Sequence, residues 1–152
     1  ETGALARQLA AGHPLIRELW RNSGGNVMTR VLSRVLELAG LVLLVEQTLR
    51  ELVPDAPCCV DSQVPQTADA FGLCEAARGS LGHWLSVRDG RIANYQIVAP
   101  TSWNFSPRDR SGTPGALEAA LAGAPVLDGD KTPVAVQHIV RSFDPCMVCT
   151  VH

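Results

Sequence analysis

The last seven residues of the chain, CMVCTVH, place Cys146, Cys149 and His152 at intervals of three residues. One turn of an α-helix takes about 3.6 residues, so this spacing can aim the three side chains toward one point. Thiolates are soft ligands that suit nickel, iron, zinc or iron–sulfur clusters. A structural zinc site needs four ligands, often from two CxxC pairs, and this chain has a single pair. The motif therefore indicates part of a metal site rather than a self-contained zinc finger.

Two other interpretations of the same motif stay open on spacing alone. The thiols and the histidine can lack any ligand role, as isolated CxxC pairs often do. A redox-active dithiol is the second alternative, although such motifs usually lie between a strand and a helix. The other cysteines, Cys58, Cys59 and Cys74, bring the total to five. An odd number does not fit a disulfide framework, and it favours a reducing compartment or metal ligation.

Composition and charge limit the partners of this chain. Its 152 residues are 46% hydrophobic and 18% charged, which is enough to bury a core. A net charge of −2 with scattered basic residues excludes a nucleic-acid surface, which needs clustered Lys and Arg. The longest apolar stretch, 39–45, is too short to cross a bilayer, so we expect no membrane insertion by this chain. The chain begins without methionine, and we expect a piece of a longer or split polypeptide.

Hydrophobic spacing predicts two helices in the first third of the chain. The first covers 2–11, with Pro14 just beyond it as an exit signal. The second covers about 26–52, carries a buried apolar stripe and ends before Pro54. The stripe consists of Val27, Val31, Val35, Leu38, Val42 and Val45. Residues 56–68, rich in proline, cysteine and polar side chains, are predicted to form a loop.

The second half of the chain changes to a β pattern. Two β-like runs flank Asp89-Gly90, a strong hairpin signal, and a long loop of the kind that is often functional follows at 101–115. Short helices are predicted at 114–122 and 133–142. The predicted fold class is α-rich α+β, with long buried helices and a small β-hairpin. The predicted organisation is helical at 1–53, a loop at 54–81, a hairpin at 82–100, and a loop with short helices and the metal-ligand motif at 101–152.

Four ordered motifs resemble the large subunits of nickel–iron hydrogenases. DPCMVCTVH at 144–152 is similar to the family's C-terminal DPCxxCxxH, and EAARG at 75–79 is similar to its EAPRG. PTSWNFSPRD at 100–109 and GALEAAL at 115–121 lie between them in the family's order. The resemblance implies that residues 1–152 are the C-terminal portion of a hydrogenase large subunit, part of a larger fold. It implies an enzyme that oxidises H2 reversibly to protons and electrons.

The resemblance also implies a set of metal ligands. In this family two cysteine thiolates bridge a nickel and an iron, and the iron carries CO and cyanide. Cys146 would be a terminal nickel ligand and Cys149 a bridging ligand of a Ni-Fe(CN)2(CO) centre. His152 would bind magnesium or a similar divalent ion, together with the backbone carbonyl of Ile97.

Further residues around the centre are implied by the same motifs. Arg78 matches the arginine above the open coordination position, and Asp144 matches the acid that pairs with it. With Cys146, these two are the implied catalytic residues. Thr101 matches a hydroxyl that donates to an iron-bound cyanide, and Pro100 would pack near the diatomic ligands.

The chain departs from the family pattern at a few positions. Ala77 stands where the family usually has proline, which would loosen the backbone before Arg78. Ala135 and His138 stand where a glutamate and an arginine are usual. Four matched residues are expected to be structural supports: His83, Arg108, Asp109 and Glu118. The resemblance assigns no role to Cys58, Cys59 or Cys74.

The family's first CxxC, which supplies the other two thiolates, is absent from this sequence. The expected partners are therefore the remainder of the large subunit and a small subunit with iron–sulfur clusters, since this chain lacks the cysteines for a cluster. We expect this heterodimer to be cytoplasmic, or else membrane-associated or periplasmic through the partner subunit. Two other functions stay open. One is an H2-sensing regulatory hydrogenase that signals to a kinase, and the other is a non-catalytic remnant or simple CxxCxxH metal-binding module.

Overall fold

A computed structural model of the chain describes residues 1–59 and 61–147. In this part of the chain, helices and a three-stranded sheet form an α+β fold, as the sequence predicted. The elements, in chain order, are α1 (Ala4–Ala10), α2 (Pro14–Ser23), α3 (Val27–Glu51), β1 (Thr67–Ala76), β2 (Gly79–Arg88), β3 (Arg91–Val98), α4 (Pro100–Asn104), α5 (Ala116–Leu121) and α6 (Val134–Ser142).

The start of the chain contains one more helix than the sequence analysis predicted. Gly12 has a φ of 79° and ends the predicted first helix, and Pro14 then opens α2. Proline is favoured in a first helical turn because its φ is already helical and its missing N–H would have no partner there. The interpretation of Pro14 as only an exit signal was therefore incomplete, since the same residue begins the next helix.

The long helix α3 begins at a capping box. The Asn26 side chain accepts a hydrogen bond from the backbone N–H of Thr29 at 3.0 Å, and the Thr29 hydroxyl accepts one from the backbone N–H of Asn26 at 2.9 Å. Both bonds satisfy N–H groups that have no partner within the helix. The predicted helix at 26–52 is confirmed to within one residue at each end.

The buried stripe predicted along this helix is wrong for the chain by itself. Only Thr29, Arg30 and Ser33 of α3 are buried, and Val42 is 68% exposed. The helices α1, α2 and α6 contact α3, but every residue from 38 to 51 is exposed. Apolar spacing identifies which face of a helix avoids water, but it does not say whether the same chain covers that face.

The sheet is antiparallel in the order β1-β2-β3. The hairpin predicted at Asp89-Gly90 is confirmed, and φ values of 51° and 68° there suit a tight turn. Strand β1 was missed, because it lies inside the loop predicted at 54–81. Its side chains are almost all exposed on both faces. The alternation of apolar and polar residues that marks a half-buried strand is therefore not expected here, and the sequence gives no such signal.

The elements after the sheet position the residues of the candidate site. The predicted loop at 101–115 begins as the short helix α4, opened by Pro100, while α5 and α6 match the predicted helices. The core contains few apolar side chains, namely Ala4, Leu5, Ile16, Val87 and Phe143. Buried polar residues accompany them: Thr29, Arg30, Ser33, Thr101, Asn104 and Ser142. Across 1–59 and 61–147, none of the helices combines the length and the apolar character needed to cross a membrane.

Candidate metal centre

The turn between β1 and β2 presents Arg78. Gly79 follows it with a φ of 139°, and a Cβ at that position would overlap the Thr2 hydroxyl. On the same side, a Cβ on Gly3 would come within 3.2 Å of the Arg78 carbonyl. Glycine is therefore required at 79 both for its conformation and for the close approach of the segment before α1. This packing fixes the C-terminal side of the turn.

Arg78 forms an ion pair with Asp144. The Nε of Arg78 lies 3.4 Å from Oδ2 of Asp144, and each side chain is 45% exposed. Asp144 follows the end of α6 and has a φ of 51°, a conformation that aspartate tolerates better than most residues. A pair this exposed contributes only about 0–1 kcal/mol to stability. Its main effect is to orient the guanidinium.

Thr101 holds the start of the cysteine motif. Its Oγ1 accepts a hydrogen bond from the backbone N–H of Cys146 at 3.0 Å. Thr101 is 8% exposed and lies in the first turn of α4, directly after Pro100. Because the hydroxyl acts as an acceptor in this bond, its own proton stays available for donation to another group. Cys146 itself is half-buried.

Of the other predicted ligands, Ile97 lies among the described residues. Ile97 lies in β3 opposite His83 of β2, and its side chain is exposed. Cys149 and His152 lie outside the described residues. Within 1–59 and 61–147, no three His, Cys, Asp or Glu side chains gather closely enough to hold a metal ion. The ligand roles of Cys146, Cys149, His152 and Ile97 thus stay predictions, as do the roles of Arg78, Asp144, Pro100 and Thr101.

The residues expected to be supports make local contacts. Arg108 binds Glu118 at 2.7 Å, and this hydrogen bond lowers the pKa of the Glu118 carboxyl. The Asp109 carboxylate accepts from Ser111 and from the backbone N–H of Thr113, which lowers its pKa too. These contacts close the loop between α4 and α5.

His83, the remaining expected support, lies next to Tyr95. The Nδ1 of His83 lies 2.6 Å from the Tyr95 hydroxyl, across β2 and β3. Cys58, Cys59 and Cys74 are exposed.

Sequence reasoning missed the polar residues that hold the site in place. Asn104 binds the backbone of Thr2 at both ends of its amide, with Thr2 N–H donating at 2.8 Å and the Thr2 carbonyl accepting at 3.0 Å. Asn104 lies within the PTSWN motif, which is the signal that could have identified it. This clasp joins α4 to the segment that packs against Gly79.

Two arginines of α3 hold the end of α6. Arg30 donates to the Ser142 hydroxyl at 3.2 Å and binds Glu1 at 2.8 Å, and its guanidinium lies 3.9 Å from the centre of the Phe143 ring. Arg34 donates to the Ser142 carbonyl at 2.7 Å. Both arginines therefore hold the backbone segment that directly precedes Asp144. Nothing in their sequence context marks them, because Ser142, the partner that they share, is more than 100 positions away.

The fold is α+β, and its candidate site brings Cys146 next to Thr101, shortly after the Arg78–Asp144 pair. The sequence profile described as Nickel-dependent hydrogenase matches residues 17–152. The chain belongs to the nickel-dependent hydrogenase family.

Relatives and solved structures agree with this assignment. The chain is 47% identical over 108 residues to the periplasmic [NiFeSe] hydrogenase large subunit of Desulfomicrobium baculatum, covering 71% of this chain and 21% of the relative. It is 48% identical over 88 residues to the uptake hydrogenase large subunit of Rhodobacter capsulatus, covering 58% of this chain and 15% of the relative. A Ni-Fe-Se hydrogenase structure from D. vulgaris Hildenborough superimposes with a TM-score of 0.84 at 36% identity, covering 100% of this chain and 35% of that one. The chain thus spans about a third of the solved chain and a smaller share of these curated relatives.

Proposed function

We propose that this chain is the C-terminal part of the large subunit of a nickel–iron hydrogenase. The complete protein would catalyse the reaction H2 ⇌ 2H+ + 2e−. The support is the convergence of three motifs that are distant in sequence. Arg78 of EAARG forms an ion pair with Asp144. Thr101 of PTSWN accepts a hydrogen bond from Cys146, which lies two residues after Asp144. Among the described residues, nothing favours the sensor, the remnant or the simple metal module over this function.

The donor chemistry of this chain fits a nickel-containing centre. Cys146, with Cys149 beyond the described residues, would hold the centre through thiolates, soft donors that suit late first-row metals. Two thiolates are half of the set used in the family, so the remainder of the large subunit would supply the other two. When bound, the centre would supply the redox chemistry of H2 cleavage.

The residues of this chain would position H2 and take its proton. The Arg78 guanidinium, paired with Asp144, would orient and polarise H2. The base that takes the proton would be the Sγ of Cys146, because a thiolate has lone pairs that can accept it, or else Arg78 assisted by Asp144. Thr101 would donate its hydroxyl proton to an anionic ligand, since its oxygen is already oriented by the Cys146 N–H.

The finer assignments follow from the same proposal. His152 and the Ile97 carbonyl would bind a divalent ion, with magnesium as the first candidate because it prefers oxygen ligands and water. A small subunit would carry the iron–sulfur clusters that take up the electrons. The compartment proposed is the cytoplasm, and the Desulfomicrobium baculatum relative, described as periplasmic, makes the periplasm the alternative.

The test is an infrared spectrum of the purified native assembly that contains this chain. We expect stretching bands of metal-bound CO and cyanide that shift under H2. Cys146→Ser should remove these bands, whereas Cys74→Ser, at an exposed position of β1, should leave them unchanged. An intact, metal-loaded assembly without such bands contradicts the proposal.

A further inference from the structure

We propose that Arg7 is a positioning residue for Arg78. It would fix the turn between β1 and β2 by binding the two backbone carbonyls that precede Arg78. The inference rests on the proposed function, because it concerns the group that would face H2. It adds to that function a residue that lies in α1, outside the four motifs that carry the resemblance.

The contacts of Arg7 with the turn are direct. Its Nη1 donates to the Ala76 carbonyl at 3.0 Å, and its Nη2 donates to the Ala77 carbonyl at 3.1 Å. These are the last two carbonyls before Arg78. The opposite side of the turn packs against the segment around Thr2 and Gly3. The turn is thus held from both sides.

The Arg7 guanidinium is itself held by two carboxylates. Glu37 of α3 accepts from Nε at 2.7 Å and from Nη2 at 2.6 Å, and Glu75 of β1 accepts from Nη1 at 2.8 Å. With the two carbonyls, these bonds use all five N–H donors of an arginine. The Arg7 and Glu37 side chains are 22% and 21% exposed. Arg7 therefore joins α1, α3 and the sheet at one point.

Arg7 supplies a restraint on the first half of the turn that residue 77 does not supply. Position 77 is alanine, which does not fix φ as proline would. Among the described residues, the Arg78 side chain has one ion pair, at 3.4 Å, and it is half exposed. The direction of its guanidinium therefore depends on the backbone of residue 78. A displacement of about 1 Å near a reacting group can cost about a hundredfold in rate. Loss of Arg7 should therefore displace Arg78 and lower the rate of the reaction.

The experiment uses the complete native enzyme with Arg7→Met, and with Arg7→Met combined with Ala77→Pro. We expect Arg7→Met to lower H2 turnover by about tenfold or more, while the CO and cyanide bands keep their intensity. Hydrogen exchange at the amides of residues 78–80, which the proline variant also retains, should be faster by about tenfold. Proline at 77 should restore much of both losses, because it restrains the same backbone segment. A merely structural role of Arg7 would not be rescued in this way.

A matched control is available at the other end of the same strands. Arg88 binds Asp69 at 2.9 Å and the Ala68 carbonyl at 3.1 Å, so Arg88→Met removes similar contacts far from the turn. It should leave turnover and exchange at 78–80 unchanged. If Arg7→Met does not yield folded protein, Arg7→Lys serves instead, since lysine keeps the charge but cannot hold this planar set of acceptors.

The outcomes separate the two proposals. Unchanged exchange and turnover in the Arg7 variants overturn the positioning role, and so does a loss that Ala77→Pro does not rescue. If the wild-type enzyme is metal-loaded and shows no CO or cyanide bands, the proposed function fails. In that case exchange at 78–80 still decides whether Arg7 fixes the turn.

Discussion

The two halves of α3 have opposite surroundings. The first half contacts the rest of the chain through polar residues, since Arg30 and Arg34 hold the end of α6 and Glu37 holds Arg7. The second half, from Leu38 onward, is apolar and exposed. The contacts that orient the site residues are thus found within this chain, whereas the cover for its largest apolar helix surface is not found among the described residues. An exposed apolar surface of this extent marks an interaction site.

We expect the remainder of the large subunit to cover the second half of α3. All of this chain matches the solved D. vulgaris chain, but the match covers only 35% of that chain. The apolar side chains Leu41, Val42 and Leu49 would then be core residues of a larger fold. The following predictions test this contrast between a polar, internally satisfied half and an apolar, externally covered half.

The largest effect is expected at Arg30. Arg30→Met leaves Glu1 without its buried partner and removes the bond to Ser142, so the free energy of unfolding should fall by about 3–5 kcal/mol. Urea unfolding of the complete subunit measures it. The control is Arg50→Met in the other half of α3, whose exposed ion pair with Glu46 should contribute at most about 0.5 kcal/mol. Equal losses in both variants would remove the distinction.

A smaller effect is expected at Val42. In the complete subunit, Val42→Gln should lower the free energy of unfolding by about 1.5–3 kcal/mol, because a buried valine side chain is lost. Glu46→Gln, on the same half of the helix, should change it by less than about 0.5 kcal/mol. A neutral Val42→Gln would mean that this face stays in solvent when the subunit is complete.

Thr101 tests the polar region again, with a smaller change. Thr101→Val leaves the Cys146 N–H without its acceptor and should cost about 1–3 kcal/mol in the free energy of unfolding. Thr101→Ser keeps the hydroxyl and should lose less. The cyanide stretching frequencies of the native assembly should shift in the valine variant and stay near the wild-type values in the serine variant. Identical spectra in both would dismiss the hydroxyl's role.

The smallest effect concerns pH. Partial burial alone would raise the pKa of Glu75, but hydrogen bonds from Ser80 and Arg7 lower it overall. A carboxyl with a lowered folded pKa stabilises the fold above its unfolded pKa of about 4.3, and this contribution is lost as pH falls through the folded value. Glu75→Gln should therefore flatten the acid side of the stability curve, by about 1 kcal/mol at most. Parallel curves for both proteins below pH 5 would contradict this.

The sequence predicted the elements whose signals are local. The long helix has a regular apolar spacing and an Asn–Thr cap, and the hairpin has Asp89-Gly90. The motif residues Arg78, Thr101 and Asp144 could be named because they match a family pattern. The ion pair between Arg78 and Asp144 is present, and the catalytic and ligand roles of the three residues stay predictions. Strand β1 could not be predicted, because its pairing with β2 rather than its own composition makes it a strand.

The residues that hold the site could not be predicted either. Arg7 binds Glu37 across 30 positions, and Arg30 binds Ser142 across 112. An arginine on a helix looks the same in the sequence whether it is solvated or fixed in the core. The burial of α3 failed for a related reason, since spacing defines an apolar face without naming its neighbour.

The hydrogen bond between Thr101 and Cys146 also has a consequence for how the gene can vary. It joins two residues that are 45 positions apart and so closes the segment between them into a loop. Within that segment, residues 127–131 are exposed, and the space around Gly129 is open, while its φ of 80° favours keeping the glycine itself. Doubling the length of a flexible surface loop costs only about 0.6 kcal/mol in closure entropy. Extra residues at Gly129 should therefore leave the cysteine in place, which makes this the natural position for inserting an affinity tag.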